Sequence, residues 1–360
     1  MMETTNHNYC IILAGGVGRR LWPASQKELP KQFIDFFGTG RTLLQQTFDR
    51  FSRFIPKEHI YVSTYEGYVD LVSQQLPQLP TNQILPEPVQ LNTAPAAIWG
   101  TWHAALSDSE ASVVVSPADQ LIQHEDRFEK QILQGLEYVA SHPQFLAIGV
   151  RPTLPNTAYG YIQMGDETDA QKGLSRVQSF SEKPELNYAK MFLDSGEFLW
   201  NTGVFLWKAD TMGRQLAQMQ HRPDYPVEKL AKQMVTIAAE MNYIRTIIPE
   251  GLPRSIDLLV LEHCSNVMVQ QCDFGWADIG CWTELHEASH LDADHNAVTP
   301  GAHVMLQGTQ NCMISLPHGH KAVIAGLDGY VVAEQNGILM ICPNKDPDAI
   351  RRLINEGLFF

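Results

Sequence analysis

The stretch that decides the fold runs from Cys10 to Phe33 and reads CIILAGGVGRRLWPASQKELPKQF. Its apolar start, Cys10 to Leu13, is typical of a buried strand, and Gly15, Gly16 and Gly18 follow at once. Glycines let backbone amides approach a ligand closely, and the basic residues that come next complement phosphate charge. The sequence therefore predicts a strand, a glycine turn and a basic loop that hold the phosphates of a nucleotide.

Two other phosphate-binding motifs do not fit this turn. A dinucleotide fingerprint needs G-x-G-x-x-G, but Leu21 stands at the third glycine position after Gly16 and Gly18. The P-loop pattern G-x-x-x-x-G-K-[ST] is also absent. A nicotinamide dehydrogenase is therefore disfavoured. For the glycines alone, a tight turn with solvated arginines remains an equal interpretation.

The composition is that of an acidic protein whose N-terminal segment is rich in basic residues. The chain has 360 residues, 44% of them apolar, which is enough for one large domain and a smaller one. Its net charge of -14 argues against binding of nucleic acid or of an anionic membrane. Residues 1–31 nevertheless carry four lysines and arginines against only Glu3 and Glu28. We predict that this cationic segment handles polyphosphate.

The cysteines and the apolar runs predict a cytoplasmic location. The six cysteines are scattered without a C-x-x-C pair, which favours reduced thiols over disulfides or a zinc site. The N-terminal residues are polar and lack the apolar core of a signal peptide. No apolar run approaches 18 residues, so we expect no membrane span.

Strand and helix patterns alternate through the first half of the chain. The sequence predicts strands over His59–Ser63, Ser112–Ser116 and Phe145–Val150. It predicts helices over Thr42–Phe54, Ala94–Leu106 and Asp126–Ser141, with Thr42 as an N-cap. This rhythm predicts an α/β fold with a Rossmann-like, mixed, mostly parallel sheet flanked by helices over residues 1–291.

The character of the chain changes after about residue 290. Residues 301–342 contain short β-like stretches separated by Gly, Asn and Asp, and a helix is expected over Asp346–Glu356. We predict a small β-rich C-terminal domain over residues 292–360. Either a coil of a β-helix or a small antiparallel sheet fits the pattern.

Trp22-Pro23 and Pro30-Lys31-Gln32 extend the glycine turn into a longer signature. The string resembles that of the sugar-phosphate nucleotidyltransferases, in particular the short bacterial mannose-1-phosphate guanylyltransferases, which share G-x-G-x-R-L-W-P-x-S followed by P-K-Q-F. The resemblance implies catalytic roles for Arg20, Lys31 and Lys183. It also implies nucleotide binding by Leu13, Ala14, Gly15, Gly16, Gly18 and Arg19. Arg19 departs from the family, which usually has a small hydroxyl residue there.

Two aspartates are candidate ligands of a divalent cation. Asp119 comes directly after the apolar run Val113–Val115 and Ser116-Pro117, where a carboxylate is well placed to hold a metal against phosphate oxygens. A turn or helix-capping aspartate is the alternative. Asp278 satisfies the family pattern W-x-D-x-G-x-W. The resemblance implies Mg²⁺ held by Asp119 and Asp278, although the family usually has histidine where this chain has Gln120.

Three further segments resemble the family's sugar-phosphate site. They are T-A-Y-G-Y-I, F-S-E-K-P and W-N-T-G, and they assign sugar-phosphate binding to Ala158, Tyr159, Gly160, Glu182, Lys183 and Asn201. Alanine replaces the family's first glycine at position 158. A solvated strand end is the alternative for Glu182 and Lys183, and a bulged turn is the alternative for Asn201.

The base site is expected in the segment that resembles the family's E-P…N-T-A-P. Its candidate residues are Glu87, Asn92, Thr93 and Ala94. A helix N-cap at Asn92 or Thr93 is an equal interpretation.

The resemblance extends from about Tyr9 to about Glu287 and implies the nucleotidyltransferase fold. The implied reaction is the transfer of GMP from GTP to α-D-mannose 1-phosphate, by metal-assisted in-line displacement without a covalent intermediate. Another hexose-1-phosphate nucleotidyltransferase, using UTP or dTTP with glucose 1-phosphate, is the nearest alternative. A non-catalytic sugar-nucleotide or GTP sensor of the same fold is the second. The family's oligomers also imply a homodimer as one option.

Overall fold

The computed structural model describes residues 6–169, 173–219, 239, 255–344, 350 and 352. It divides into two compact units. The first unit comprises the described residues of Met1–Gly15, Phe48–Pro117 and Ile122–Trp276. The second comprises those of Gly16–Thr47, Ala118–Leu121 and Ala277–Phe360. These units differ from the predicted domains of residues 1–291 and 292–360, and a boundary near residue 292 stays a prediction.

A nine-stranded sheet forms the centre of the first unit. Its strands are β1 (Asn8–Leu13), β2 (Ile60–Tyr65), β3 (Ile84–Glu87), β4 (Ser112–Pro117), β6 (Phe145–Val150), β7 (Gly160–Asp169), β8 (Leu174–Ser181), β9 (Phe198–Lys208) and β10 (Val267–Cys272). They are ordered β3-β2-β1-β4-β9-β6-β10-β8-β7. Strands β8 and β9 run against the others. The mixed α/β sheet that the sequence predicts is confirmed.

Helices accompany these strands along the chain. They are α1 (Leu43–Phe51), α2 (Val69–Gln75), α3 (Thr93–Ser107), α4 (Glu125–Ser141), α5 (Leu186–Ser195), α6 (Ala209–Met219), α7 (Ile256–Leu259) and α8 (Trp282–Ala288). Thr42 caps α1 as expected, because its hydroxyl accepts from Gln45 N–H while Gln45 Oε1 accepts from Thr42 N–H. Gly100 lets α3 lie close to β1, since a Cβ there would come within 2.5 Å of Ile11 Cγ2.

The second unit holds the β-rich C-terminal region. Two short strands, β5 (Gln120–Ile122) and β11 (Trp276–Asp278), pair with each other. The remaining strands are β12 (Ala297–Val298), β13 (His303–Gln307), β14 (Met313–Ser315), β15 (Lys321–Ala325), β16 (Tyr330–Gln335) and β17 (Ile338–Pro343).

The C-terminal strands stack as successive coils. Ala297, Met313 and Val331 lie in parallel register across β12, β14 and β16, and β13 pairs in parallel with β15. Only β17 closes the stack in the antiparallel sense. The parallel ladders favour the β-helix alternative. Apart from Ile350 and Arg352, which are helical, the expected helix over Asp346–Glu356 lies outside the described residues.

The basic loop of the signature belongs to the core of the second unit. Leu21 and Phe36 are buried in one apolar cluster with Ile279, Met313 and Val331. In addition, Trp282 Nε1 donates to the carbonyl of Trp22 at 3.0 Å. The loop is therefore held by the same packing that supports β14 and β16. In the described part of the chain, no helix is long and apolar enough to cross a membrane.

Candidate active site

The glycine turn begins where β1 ends. The Ala14 N–H donates to Ser63 O at 2.7 Å, and the Thr64 hydroxyl donates to Ala14 O at 3.0 Å. Further along, Gly18 adopts a φ of 67°, and a Cβ there would lie 2.8 Å from both Lys31 Cγ and Ser25 Oγ. Gly18 is therefore required both by its backbone conformation and by the close passage of the Lys31 side chain.

Lys31 is the centre of a charged cluster within the second unit. Its side chain is 10% exposed, and Nζ lies 2.9 Å from Asp119 Oδ2 and 4.0 Å from Asp278 Oδ1. It also donates to the carbonyl of Ile279 at 2.8 Å. Burial alone would lower the pKa of Lys31, but the two aspartate charges outweigh burial and raise it. Lys31 therefore remains an ammonium ion, and it brings the two aspartates together.

Arg20 joins this cluster at Gly280. A Cβ on Gly280 would lie 2.7 Å from Arg20 Nη2, 2.7 Å from Glu284 Oε2 and 2.8 Å from Asp278 Oδ2. A side chain at position 280 would therefore displace the guanidinium or one of the two carboxyls from this α-carbon. The third group, Glu284, was not predicted from the sequence. Burial and the Asp278 charge raise the pKa of Glu284 to about 7, against the opposing charge of Arg20.

The two aspartates fit a magnesium ion by their chemistry. Mg²⁺ takes one or two carboxylates and completes its octahedron with substrate phosphates and water. Asp119 and Asp278 supply two such oxygens beside one ammonium, with side chains that are 24% and 27% exposed. Among the described residues, no group of three or more His, Cys, Asp or Glu side chains has metal-binding geometry.

The candidate nucleotide-binding residues of the first unit lie at the carboxyl ends of β1 and β3. Glu87 is 8% exposed, and its Oε1 accepts from the Ser63 hydroxyl at 2.9 Å. The same Oε1 lies 3.3 Å from where a Cβ on Gly15 would stand. Burial raises the pKa of Glu87 to about 7, although the Ser63 hydrogen bond lowers it. Leu13, Ala14, Gly15 and Glu87 thus share one end of the sheet.

Asn92 and Thr93 have structural partners at the start of α3. Asn92 is the N-cap, with a φ of 72°, and its Oδ1 accepts from Thr93 N–H at 2.8 Å. The Thr93 hydroxyl accepts from Ile256 N–H at 3.0 Å, which ties α3 to α7. Ala94 is fully buried. The N-cap interpretation of Asn92 is confirmed, and the base-binding role of these residues stays a prediction.

The sugar-phosphate candidates gather at one end of β7, β8 and β9. A Cβ on Gly160 would lie 2.8 Å from Glu182 Oε2 and 3.6 Å from Asn201 Nδ2. Lys183 has a φ of 45° and pairs with Glu182. Gly160, Glu182, Lys183 and Asn201 are therefore neighbours, as a shared ligand would require. Asn201 also lies in a bulge, since its Oδ1 accepts from Gly203 N–H at 3.0 Å beside a register shift in the β6–β9 pair.

Ala158 and Tyr159 face packing partners of the first unit. The Ala158 N–H donates to Asn156 Oδ1 at 2.7 Å, so a ligand would compete with Asn156 for this amide. The Tyr159 ring is 8% exposed and packs edge-on against Trp200 and Trp276, at 5.1 and 5.0 Å between centroids. Near this end, Asp257 of α7 is a half-buried carboxyl that was not predicted from the sequence. Burial raises its pKa, and Lys183 opposes the shift.

The chain belongs to the nucleotidyl transferase family, whose model matches residues 9–295. Among curated relatives, mannose-1-phosphate guanylyltransferase of Salmonella montevideo is 34% identical over 360 residues, which cover 96% of this chain and 73% of the relative. The enzyme of the same name from Escherichia coli K12 is 31% identical, with 97% and 73% covered.

A solved structure shares the whole architecture. The protein described as mannose-1-phosphate geranyltransferase from Thermus thermophilus superposes with a TM-score of 0.83 at 26% identity, covering 98% of this chain and 99% of its own. Family membership and the nucleotidyltransferase fold, both expected from the sequence, are confirmed. The chain is therefore an enzyme of the nucleotidyltransferase class.

Proposed function

We propose that this enzyme transfers GMP from GTP to α-D-mannose 1-phosphate, releasing GDP-mannose and pyrophosphate. The observation that carries the proposal is the convergence of Arg20, Lys31, Asp119 and Asp278 within the second unit. Two cations and two carboxylates held together are what polyphosphate chemistry with a divalent metal requires. The names of the relatives supply the choice of GTP and mannose 1-phosphate.

The reaction needs alignment and charge neutralisation more than a base. The phosphate oxygen of mannose 1-phosphate is already an anion at neutral pH, so it attacks the α-phosphorus of GTP directly as pyrophosphate leaves. Arg20 and Lys31 stabilise the negative charge that develops on the leaving group. Asp119 and Asp278 would hold Mg²⁺, which supplies Lewis-acid neutralisation of the phosphate oxygens when bound. Because Lys31 is buried and paired with both aspartates, its ammonium is already aimed before substrate arrives.

The sugar phosphate is assigned to residues of the first unit. Glu182 accepts hydrogen bonds from sugar hydroxyls, and the Asn201 amide bridges them, beside Gly160, where a side chain would intrude. The Lys183 ammonium leaves Glu182 to bind the sugar phosphate, because a dianion is the stronger partner for an exposed cation. We retain Ala158 and Tyr159 at the margin of this site.

The nucleotide is assigned to the glycine turn and to the carboxyl ends of β1 and β3. Glu87 is the acidic group beside the base or ribose, and Asn92, Thr93 and Ala94 shape the neighbouring helix start. Arg19 is exposed at the beginning of the turn that follows Gly18. We propose that Arg19 adds a cation for the outer phosphates of GTP.

A cytoplasmic location and a homodimer belong to the same proposal. All six cysteines are free in the structure, as is typical of proteins from reducing compartments. Large apolar side chains on β13, β15 and β17 are exposed, among them Met305, Val323 and Leu339. These positions offer apolar surface for a second copy. Neither nucleic acid nor a membrane is proposed as a partner.

A pyrophosphate-release assay distinguishes this proposal from its two rivals. The purified enzyme would be tested with GTP, ATP, UTP and dTTP, each against mannose 1-phosphate and glucose 1-phosphate, with and without Mg²⁺. We expect the highest kcat/KM for GTP with mannose 1-phosphate, and only with the metal. Preference for UTP or dTTP with glucose 1-phosphate would identify the neighbouring specificity. Binding of GTP without turnover would support a sensor.

Replacing Asp278 by alanine tests the metal assignment. We expect kcat to fall by roughly 100-fold or more, because one of the two carboxylates that position the metal is lost. Stability should change little, since Lys31 keeps Asp119 at 2.9 Å as its partner. The matched control is Asp273→Ala, which removes an exposed aspartate paired with Arg127. If Asp278→Ala turned over at the wild-type rate, Asp278 would not be a metal ligand.

A further inference from the structure

Glu284 is a buried carboxyl that the proposed reaction does not use. It lies in the first turn of α8 and is 4% exposed. Its Oε2 accepts from Gly280 N–H at 2.8 Å. Its Oε1 is fully buried and within the described part of the chain accepts no hydrogen bond of normal geometry, although the Cys281 thiol lies near enough to lower the Glu284 pKa. Burying a carboxyl with one unpaired oxygen is costly, so its presence calls for a compensating role.

The surroundings of Glu284 indicate what that role is. Glu284 Oε2 and Arg20 Nη2 flank the same α-carbon, each 2.7 Å from where a Cβ on Gly280 would stand, and Asp278 Oδ2 lies 2.8 Å from that point. The Arg20 guanidinium and the Glu284 carboxyl therefore approach the same α-carbon, and the Arg20 charge acts on this carboxyl by lowering its pKa. The hydrogen bond to Gly280 also holds the turn that follows Asp278. Glu284 thus lies near a proposed catalytic cation and accepts a hydrogen bond from the turn that carries a proposed metal ligand.

We propose that Glu284 is a positioning residue for Arg20 and for the Asp278–Gly280 turn. Its Oε2 fixes the Gly280 amide, and its charge sets where the Arg20 guanidinium rests before pyrophosphate leaves. The inference rests on the proposed guanylyltransferase activity, in which Arg20 meets the leaving pyrophosphate. A structural role is the alternative, because a glutamate in the first turn of a helix can simply accept from free N–H groups.

The variant Glu284→Gln separates these two roles. Glutamine keeps the volume and an oxygen that accepts from Gly280 N–H, so capping of α8 is preserved while the charge is removed. We expect kcat to fall about 10-fold or more and the inhibition constant of pyrophosphate to rise about 10-fold, because a mispositioned guanidinium loses charge-assisted hydrogen bonds. The KM for mannose 1-phosphate should stay within about two-fold of wild type, since Arg20 is not assigned to the sugar.

The controls come from the same helix and from Arg20 itself. Glu287→Gln changes an exposed glutamate of α8 and should leave all three constants unchanged. Glu284→Ala removes both the charge and the acceptor, so it should lower the melting temperature as well as kcat. In an Arg20→Lys background, Glu284→Gln should cost little further activity, because both changes act on one interaction.

Different outcomes test the positioning role of Glu284 and the proposed guanylyltransferase activity. Wild-type kinetic constants in a folded Glu284→Gln enzyme would overturn the positioning role and leave α8 capping as its explanation. Independent, multiplying losses in the double variant would also overturn it, because Glu284 would then not act through Arg20. Absence of GDP-mannose synthesis in the wild-type enzyme would instead overturn the proposed function itself.

Discussion

The Glu87 carboxyl makes the stability of the first unit depend on pH. Its burial raises its pKa to about 7, and the opposing hydrogen bond from Ser63 is too weak to restore the ordinary value. The folded state therefore binds a proton that the unfolded chain releases near its usual pKa of about 4.5. Between those two values the folded state holds more protons, so stability falls as pH rises through this window.

Replacing Glu87 by glutamine should remove this penalty. At pH 8 we expect the variant to have a higher urea midpoint than wild type. Its free energy of unfolding should exceed that of wild type by on the order of 3 kcal/mol at most. At pH 5 the two should be nearly equal, because Glu87 is then protonated in the folded state. Glutamine still accepts from the Ser63 hydroxyl, so packing is preserved. The measurement is the urea midpoint at pH 5, 6, 7 and 8.

Glu58→Gln provides the comparison for this titration. Glu58 is an exposed glutamate in the turn before β2. Its curve should run parallel to that of wild type at every pH. A stability difference between Glu87→Gln and wild type that stayed constant from pH 5 to 8 would mean that Glu87 has an ordinary pKa.

Sequence and resemblance predicted the residue types of the charged cluster but not all of its members. The structure brings the predicted Lys31, Asp119 and Asp278 together. Glu284 was missed because a glutamate on a short amphipathic helix usually faces solvent. Glu284 lies in the first turn of α8, and this helix begins directly after the tight Gly280-Cys281 segment. That position is the sequence signal that could have identified Glu284. The assigned roles in substrate and metal binding stay predictions.

At the scale of elements, a buried arginine joins α1 to α4 within the first unit. The Arg50 side chain is 3% exposed, its Nε lies 3.5 Å from Glu125 Oε1, and its guanidinium covers the Phe128 ring at 5.5 Å. Burial lowers the pKa of Arg50 to about 10, and the charge of Glu125 only partly reverses this. The negative charge of Glu125 therefore offsets part of the cost of burying the Arg50 guanidinium.

Glu125→Ala should lower the free energy of unfolding much more than the same substitution at the neighbouring Asp126. We expect a loss of roughly 2 kcal/mol, below the usual cost of breaking a fully buried pair because the Glu125 side chain is 40% exposed. Asp126→Ala is the matched control, since among the described residues Asp126 pairs with Arg53 alone and its side chain is 92% exposed. That change should cost about 0.5 kcal/mol or less. Equal shifts in the urea midpoint would show that Arg50 does not depend on Glu125.

The elements that the sequence predicted are those with a strong local pattern. Strands β1, β2, β4 and β6 and helices α1, α3 and α4 all lie within a few residues of their predicted bounds. The β7–β8 pair was not predicted, because its faces mix polar and apolar residues. The reversed direction of β9 was not predicted, because its pairing with β4 and β6 is non-local. The sugar-phosphate candidates lie at the end of these three strands, where the sequence left several interpretations open.

At the scale of the whole molecule, the two compact units do not follow the order of the chain. The signature loop shares a core with the C-terminal coils through Leu21 and Phe36. Trp22 and Trp282, hydrogen-bonded to each other, are 260 residues apart in sequence. Periodicity reports only local structure, so no pattern within the loop predicts this association. The resemblance did identify the second aspartate segment, Trp276–Gly280, which continues from the first unit into the second.

The thiols give a test that covers both units. Cys10, Cys272, Cys281, Cys312 and Cys342 are buried, and burial raises the pKa of the half-buried Cys264 to about 12. Because thiolates react with disulfide reagents and thiols do not, the native protein should release less than about one equivalent within minutes at pH 8. All six cysteines should react in denaturant without reductant. A total below six after unfolding would reveal disulfides and contradict the proposed cytoplasmic location, whereas rapid reaction of the native protein would contradict the burial of its thiols.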